Sequence, residues 1–213
     1  MVKQLKNECE QMSKIVNFLL SFPSTYSNVT LFLRGKKKIQ YFVDTYVKPK
    51  SGDKILDIGC GPGDILNFLP NVEYYGFDLD QSYIDSAKKR FGNRGKFFCK
   101  AVSRDAYLGD KCFDIILAMG ILHHLNDDEA RQMFELASHL LKTGGRLITY
   151  DGCYTPDQPV ITKFILDIDR GKYVRREPAY KILAEGSFSN ISTFIRNDLL
   201  QIPYTIIILE CKK

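Results

Sequence analysis

The chain has 213 residues, 45% of them hydrophobic and 26% charged, with a formal net charge of +5. That length suits one globular domain with a core of its own, independent of disulfide or metal staples. It leaves no room for a membrane span, because the longest apolar run, Tyr204–Leu209, is only strand-sized.

Taken in chain order, the sequence opens on helical spacing. Leu5, Cys9, Met12, Val16 and Leu19 form one apolar stripe, which Pro23 ends. Lys3, Lys6, Glu8, Glu10 and Lys14 are scattered through the same segment, so it does not read as a secretory leader. A second helix is predicted over about 34–47 and stopped by Pro49, with Lys36, Lys37 and Lys38 largely on its wet side. This favours a solvated face over a nucleic-acid patch. KILDIG (54–59) then reads as a buried strand, and a helix is expected from near Gly63 through Phe68. Strands follow at 72–78, 95–102, 112–119 and 145–151. Asp80 or Ser82 should cap the helix carrying Ile84, Ala87 and Phe91. Asn126 and Glu129 form a capping-box pattern for the next helix, and Gly144 sits where its C-cap glycine belongs. Strands alternating with helices predict a mainly parallel sheet. The last two strands, 188–196 and 204–211, have no crossover helix between them and must pair antiparallel at the sheet edge. The reading is an α/β, Rossmann-like fold with a seven-stranded, mostly parallel sheet, an antiparallel edge strand and extra N-terminal helices. It forms one domain over 1–213: a helical extension (1–50), a cofactor-binding core (52–151) and an acceptor-side segment with the closing strand pair (152–213). The six cysteines include no CxxC pair, so they read as reduced thiols of a cytoplasmic protein, with no structural metal.

The most informative stretch is LDIGCGPGD, residues 56–64, between the first strand and the next helix. Gly59 permits a sharp turn, Gly61 lets backbone approach a ligand, and Gly63 lets the helix pack close to the strand. Asp78 ends the second strand 19 residues on (78 − 59), where a carboxylate can accept both hydrogens of a ribose diol. Loop and acid together predict an adenosine-containing cofactor. The glycine spacing is GxGxG rather than the dinucleotide GxGxxG. Pro62 removes a backbone donor there, and Asp64 places negative charge at the helix start. A sulfonium cofactor, without phosphate and with a cationic amino group, tolerates both features; a nicotinamide-dependent oxidoreductase is disfavoured.

LDIGCGPGD resembles the first motif of class I S-adenosylmethionine-dependent methyltransferases. FDIILAMGILHHLNDDE resembles their fourth-strand motif with its LHH segment, and LLKTGGRLITYD their fifth-strand motif. The likeness spans 52–151, and the reversed final strand pair fits it too. The resemblance implies S-adenosyl-L-methionine as cofactor and S-adenosyl-L-homocysteine as product. It places Asp57, Gly59 and Cys60 at the methionine part, Gly61 behind the adenosine and Asp78 on the ribose. Leu79 then flanks adenine, Met119 or Gly120 offers backbone, and Ala101 and Val102 form the wall where many relatives carry an aspartate. ILHHLND is also similar to the LHD-type stretch of plant O-methyltransferases, whose base aligns with His123; His124 is the second candidate. Asp151, on the same rim, either binds an acceptor hydroxyl or caps the following segment. Tyr154 belongs to a loop over the acceptor. Arg175 stands in a basic, tyrosine-bearing segment suited to an anionic acceptor. Tyr26 and Arg34 are available to the methionine carboxylate from an N-terminal lid. The function expected is methyl transfer to oxygen or nitrogen of a small-molecule acceptor, with a nucleic-acid acceptor less favoured. No [DNS]PP[YFW] motif follows the fourth strand, so nucleobase methylation is disfavoured. A non-catalytic cofactor-binding module is the alternative, since it would need the same binding residues.

Overall fold

A computed structural model describes residues 35–103, 112–167 and 171–213. The expected N-terminal stripe, Tyr26 and Arg34 lie outside the described residues.

The first described helix, α1 (Lys36–Phe42), runs into a wider turn over Val43–Val47. Ile39, Phe42, Val43, Tyr46 and Val47 are buried along one side, while Lys36 and Lys37 are exposed. The Lys38 ammonium donates to the Leu200 carbonyl at 2.6 Å. Lys48 turns left-handed (φ 44°) just before Pro49 and ends the segment.

Strands β1 (Lys54–Ile58), β2 (Glu73–Asp78), β3 (Gly95–Cys99), β4 (Phe113–Met119) and β5 (Leu141–Tyr154) run parallel. A two-residue strand, β6 (Arg175–Arg176), pairs with the end of β5, and β8 (Ile206–Lys212) lies antiparallel between β5 and β7 (Asn190–Arg196). The main order is β3-β2-β1-β4-β5-β8-β7. The order reverses beside β1, which has β2 on one side and β4 on the other. Such a switch point leaves a crevice at the carboxyl ends of the central strands. A short 3-10 helix (Asp64–Phe68) and the helices α2 (Gln81–Phe91), α3 (Asp127–Leu140), α4 (Val160–Asp167) and α5 (Glu177–Glu185) pack around this sheet.

The period-two alternation of the strands divides the core between two faces. Ile55, Tyr74, Ile115 and Leu117 pack with α1 and α2, whereas Leu56, Tyr75, Ile116 and Ala118 pack with α3 and α5. Asp80 caps α2, accepting from the Ser82 and Tyr83 N–H groups. Asn126 and Glu129 close the expected capping box on α3. Gly144 does not cap α3. The helix stops at Leu140 because the fully buried Leu141 already pairs with Phe113 in the sheet. Gly144 (φ 78°) instead kinks the approach of β5, its N–H donating to the Lys213 carbonyl at 3.2 Å. The third strand ends at Cys99, short of the predicted 102. No helix in the described residues is long and apolar enough to cross a membrane.

Candidate cofactor and acceptor site

The turn after β1 is built from three left-handed glycines, Gly59 (φ 70°), Gly61 (φ 53°) and Gly63 (φ 76°). Gly59 and Cys60 both donate their N–H to the Phe77 carbonyl, at 2.8 and 2.9 Å, which pins the turn to the end of β2. Gly61 N–H donates to Asp78 Oδ2 at 2.8 Å, and Asp78 Oδ1 accepts from Asp80 N–H at 2.9 Å. The Asp78 carboxylate therefore faces the glycine turn. Gly63 N–H is taken by the Cys60 carbonyl at 3.0 Å, and Pro62 has none to give. Every N–H from Gly59 to Gly63 is thus engaged inside the protein, where a dinucleotide fold presents such groups to pyrophosphate. Asp64 pairs with Arg90 at 2.7 Å, so its charge is offset. Phosphate is consequently disfavoured by the engaged donors rather than by Asp64.

Gly63 is also a packing requirement: a Cβ there would lie 3.2 Å from Phe97 and 3.4 Å from Phe91. The Cys60 thiol is directed inward. A Cβ on Gly76 would stand 2.8 Å from its sulfur, and burial, then the Asp57 and Asp78 charges, push the thiol up. Only the backbone of Cys60 borders the turn's outer side. Asp57 is buried beneath the turn and accepts the Tyr74 hydroxyl at 2.6 Å. Leu79 is 76% exposed beside the turn. Ala101 is exposed, while Val102 is half-buried against the second core face. Gly120 follows Met119 in a left-handed turn (φ 74°), with its N–H donating to the Tyr150 carbonyl at 2.7 Å.

Across the crevice, the structure separates the two histidines. His124 is exposed, and its ring lies 4.2 Å from that of His123. His123 is buried, with Nδ1 2.8 Å from Asp151 Oδ1, and the same oxygen accepts the His123 backbone N–H at 3.3 Å. Asp151 ends no strand; β5 continues to Tyr154. Its carboxylate is buried, and Oδ2 has no hydrogen-bond partner among the described residues. A carboxylate accepts, so this contact assigns the shared proton to Nδ1 of His123. A Cβ on Gly120 would lie 3.6 Å from His123 Cε1, which sets this imidazole next to the end of β4.

Tyr154 donates its hydroxyl to Asp167 Oδ1 at 2.6 Å, linking the end of β5 to the end of α4. Arg175 does not face an acceptor anion. Its Nε and Nη2 donate to Asp127 Oδ1, at 3.0 and 2.8 Å, and the other donors go to the Leu122, Tyr173 and Leu125 carbonyls. The expected fork for an anionic acceptor is occupied by the protein itself. Sequence reasoning missed the partner, Asp127, because it sits 48 residues away as part of the α3 start. It also gave no partner to Tyr180, whose buried hydroxyl donates to the Gly152 carbonyl at 2.9 Å. Burial and the Asp151 charge push that phenol up. The helical spacing of Tyr180, Leu183 and Ala184 after Pro178 was the available signal. Among the described residues no group of three or more His, Cys, Asp or Glu side chains gathers as a metal site.

Comparison with known proteins agrees with this geometry. Residues 55–145 match the methyltransferase domain family. The human protein named probable tRNA methyltransferase 9B is 31% identical over 105 residues, covering 47% of this chain and 22% of its own length. Phosphoethanolamine N-methyltransferase 3 of Arabidopsis thaliana is 29% identical over 171 residues, covering 77% of this chain and 34% of its own. The chain thus spans about a third or less of either relative. Among solved structures, phosphoethanolamine N-methyltransferase 2 of Haemonchus contortus, in complex with phosphomonomethylethanolamine and S-adenosylhomocysteine, superimposes with a TM-score of 0.65 at 15% identity, over 85% of this chain and 53% of that one. Fold, motif order and family match converge, and residues 55–145 carry a methyltransferase domain.

Proposed function

We propose that this chain transfers a methyl group from S-adenosyl-L-methionine to an oxygen or nitrogen of a small molecule, with His123 as general base. The observation that carries the cofactor reading is the turn whose N–H groups are all engaged while the Asp78 carboxylate faces it. That donor set suits a ribose diol and offers nothing to a phosphate, so the residues present fit this cofactor. Asp78 would take the ribose hydroxyls, Gly61 would lie against the nucleoside, and Leu79, Ala101 and Val102 would wall the base. Asp57, Gly59 and the Cys60 backbone would border the methionine part, with Met119 and Gly120 supplying backbone. When bound, the cofactor supplies a methyl group already activated by a positive sulfur.

The work left to the protein is to align the acceptor and accept its proton. Asp151 holds His123 in the tautomer that keeps Nε2 basic, and the imidazolium formed on proton uptake stays paired with a buried carboxylate. His124, exposed beside it, serves as a wall of the acceptor entrance. Tyr154, tied to Asp167, shapes the same side. The reduced thiols Cys60, Cys99, Cys153 and Cys211 suit the reducing cytoplasm. We take residues 152–213 as the acceptor-side part of a single domain.

The test is release of S-adenosylhomocysteine across a library of small hydroxyl and amine acceptors, compared for wild type, H123A and D151N. With the responding acceptor, kcat should fall about 10²–10⁴-fold in both variants while the cofactor KM holds. Equal turnover in H123A and wild type would remove the base. No turnover with any small acceptor, alongside methylation of RNA, would replace the acceptor class.

A further inference from the structure

We propose that Arg175 is a positioning residue for His123, holding the imidazole in its tautomer against Asp151. This deepens the reading of His123 as base and rests on it. A guanidinium has five N–H donors, and all five of Arg175 are used on two targets. One is Asp127 at the start of α3. The other is main chain, including the Leu122 and Leu125 carbonyls at 2.9 and 2.7 Å, which bracket His123 in sequence. The neighbouring Tyr173 N–H donates to the His123 carbonyl itself at 2.9 Å. The 173–175 segment therefore binds three carbonyls of the four-residue stretch that carries the imidazole.

Two further contacts tie this clamp to the ring and to its carboxylate. A Cβ on Gly171 would overlap His123 Cδ2 and stand 2.8 Å from Cγ, so the backbone of this segment lies directly on the imidazole edge. Tyr180 bridges the other side: its hydroxyl accepts from the Arg175 backbone N–H at 3.4 Å and donates to the carbonyl of Gly152, the residue after Asp151. Arg175 thus joins the turn bearing His123, through its guanidinium, to the strand carrying Asp151, through its main chain. The ion pair alone does not explain the arrangement. Asp127 is 60% exposed and the Arg175 side chain 9%, and such half-exposed pairs contribute little to stability. The buried part of the guanidinium is the part aimed at the carbonyls. A lysine cannot reproduce it, because an ammonium is one point and the carbonyls lie along a fork.

The test needs no acceptor. The chain has three histidines, so nitrogen NMR of imidazole-labelled protein resolves each ring's tautomer. In wild type, His123 should show protonated Nδ1 alone. In R175A and R175K it should become a tautomer mixture, as in D151N, while His139 keeps its signature and cofactor affinity by calorimetry stays within about twofold. Should R175A fail to fold, R175K and G171A carry the measurement. A wild-type His123 tautomer in both R175K and G171A overturns the proposal. A shifted tautomer in R175K, together with unimpaired turnover by H123A, would support the clamp and sink the base instead.

Discussion

Gly59→Ala isolates what the first turn demands of its sequence. Gly59 sits at φ 70°, a conformation that costs an L-residue about 1–2 kcal/mol. A Cβ there would also overlap Ile121 Cδ1 and stand 2.8 Å from Cγ1. The Ile121 side chain can rotate away, so the overlap should add only about 1 kcal/mol. Gly144→Ala is the internal control, because φ is 78° and nothing lies within 4 Å of the added carbon. The control therefore measures the conformational cost by itself. In a chain of 213 residues each kcal/mol moves Tm by about 2–4 °C. G144A should lose about 2–8 °C, and G59A about 2–4 °C more. Combining G59A with I121A should show favourable coupling of about 1 kcal/mol in a denaturant-unfolding cycle. If G59A is no worse than G144A, or the cycle shows no coupling, the close approach of the turn to Ile121 is wrong.

Two further outcomes follow from charge and burial. Burial pushes the Asp114 carboxyl up, but the Lys142 ammonium and the Lys54 N–H outweigh it and hold it below the usual range. Its stabilisation is complete above that range and is lost as acid protonates the group. D114N should cost about 0.5–1 kcal/mol near neutral pH and nothing near pH 2 in urea titrations, whereas a gap that persists in acid would contradict this. Burial, aided by the Glu177 and Glu210 charges, pushes the Cys153 and Cys211 thiols up to about 12. A maleimide at mildly alkaline pH, read by mass spectrometry, should label exposed Cys99 first and reach Cys60, Cys153 and Cys211 only on unfolding; early labelling of Cys153 would contradict the packing of β5.

The turn was legible because its chemistry is local. Three glycines and an acid at the next strand end state a backbone conformation and a hydrogen-bond acceptor in one short stretch. The strands were legible because continuous apolar runs such as Ile115–Ala118 face two buried layers. Long-range partners were not legible. Arg175 reads as a free basic fork until Asp127 and the Leu122 and Leu125 carbonyls are brought to it. Asp151 reads as either an acceptor ligand or a cap, because nothing near it in sequence places His123 at its oxygen 28 residues away. Gly144 misled for the opposite reason: it has the conformation of a helix cap, but tertiary pairing of Leu141 with Phe113 takes the chain into the sheet first.

Titration calorimetry with S-adenosylmethionine, on wild type and D78N, tests the central claim most directly. The amide of D78N would keep the shape but lose the charged acceptor that now faces Gly61. Charge-assisted bonds of this kind are worth about 1.5–3 kcal/mol, so Kd should rise about 10–100-fold, and NADH should not bind either protein. Equal affinity of the two proteins for S-adenosylmethionine, or tight binding of NADH by wild type, would contradict it.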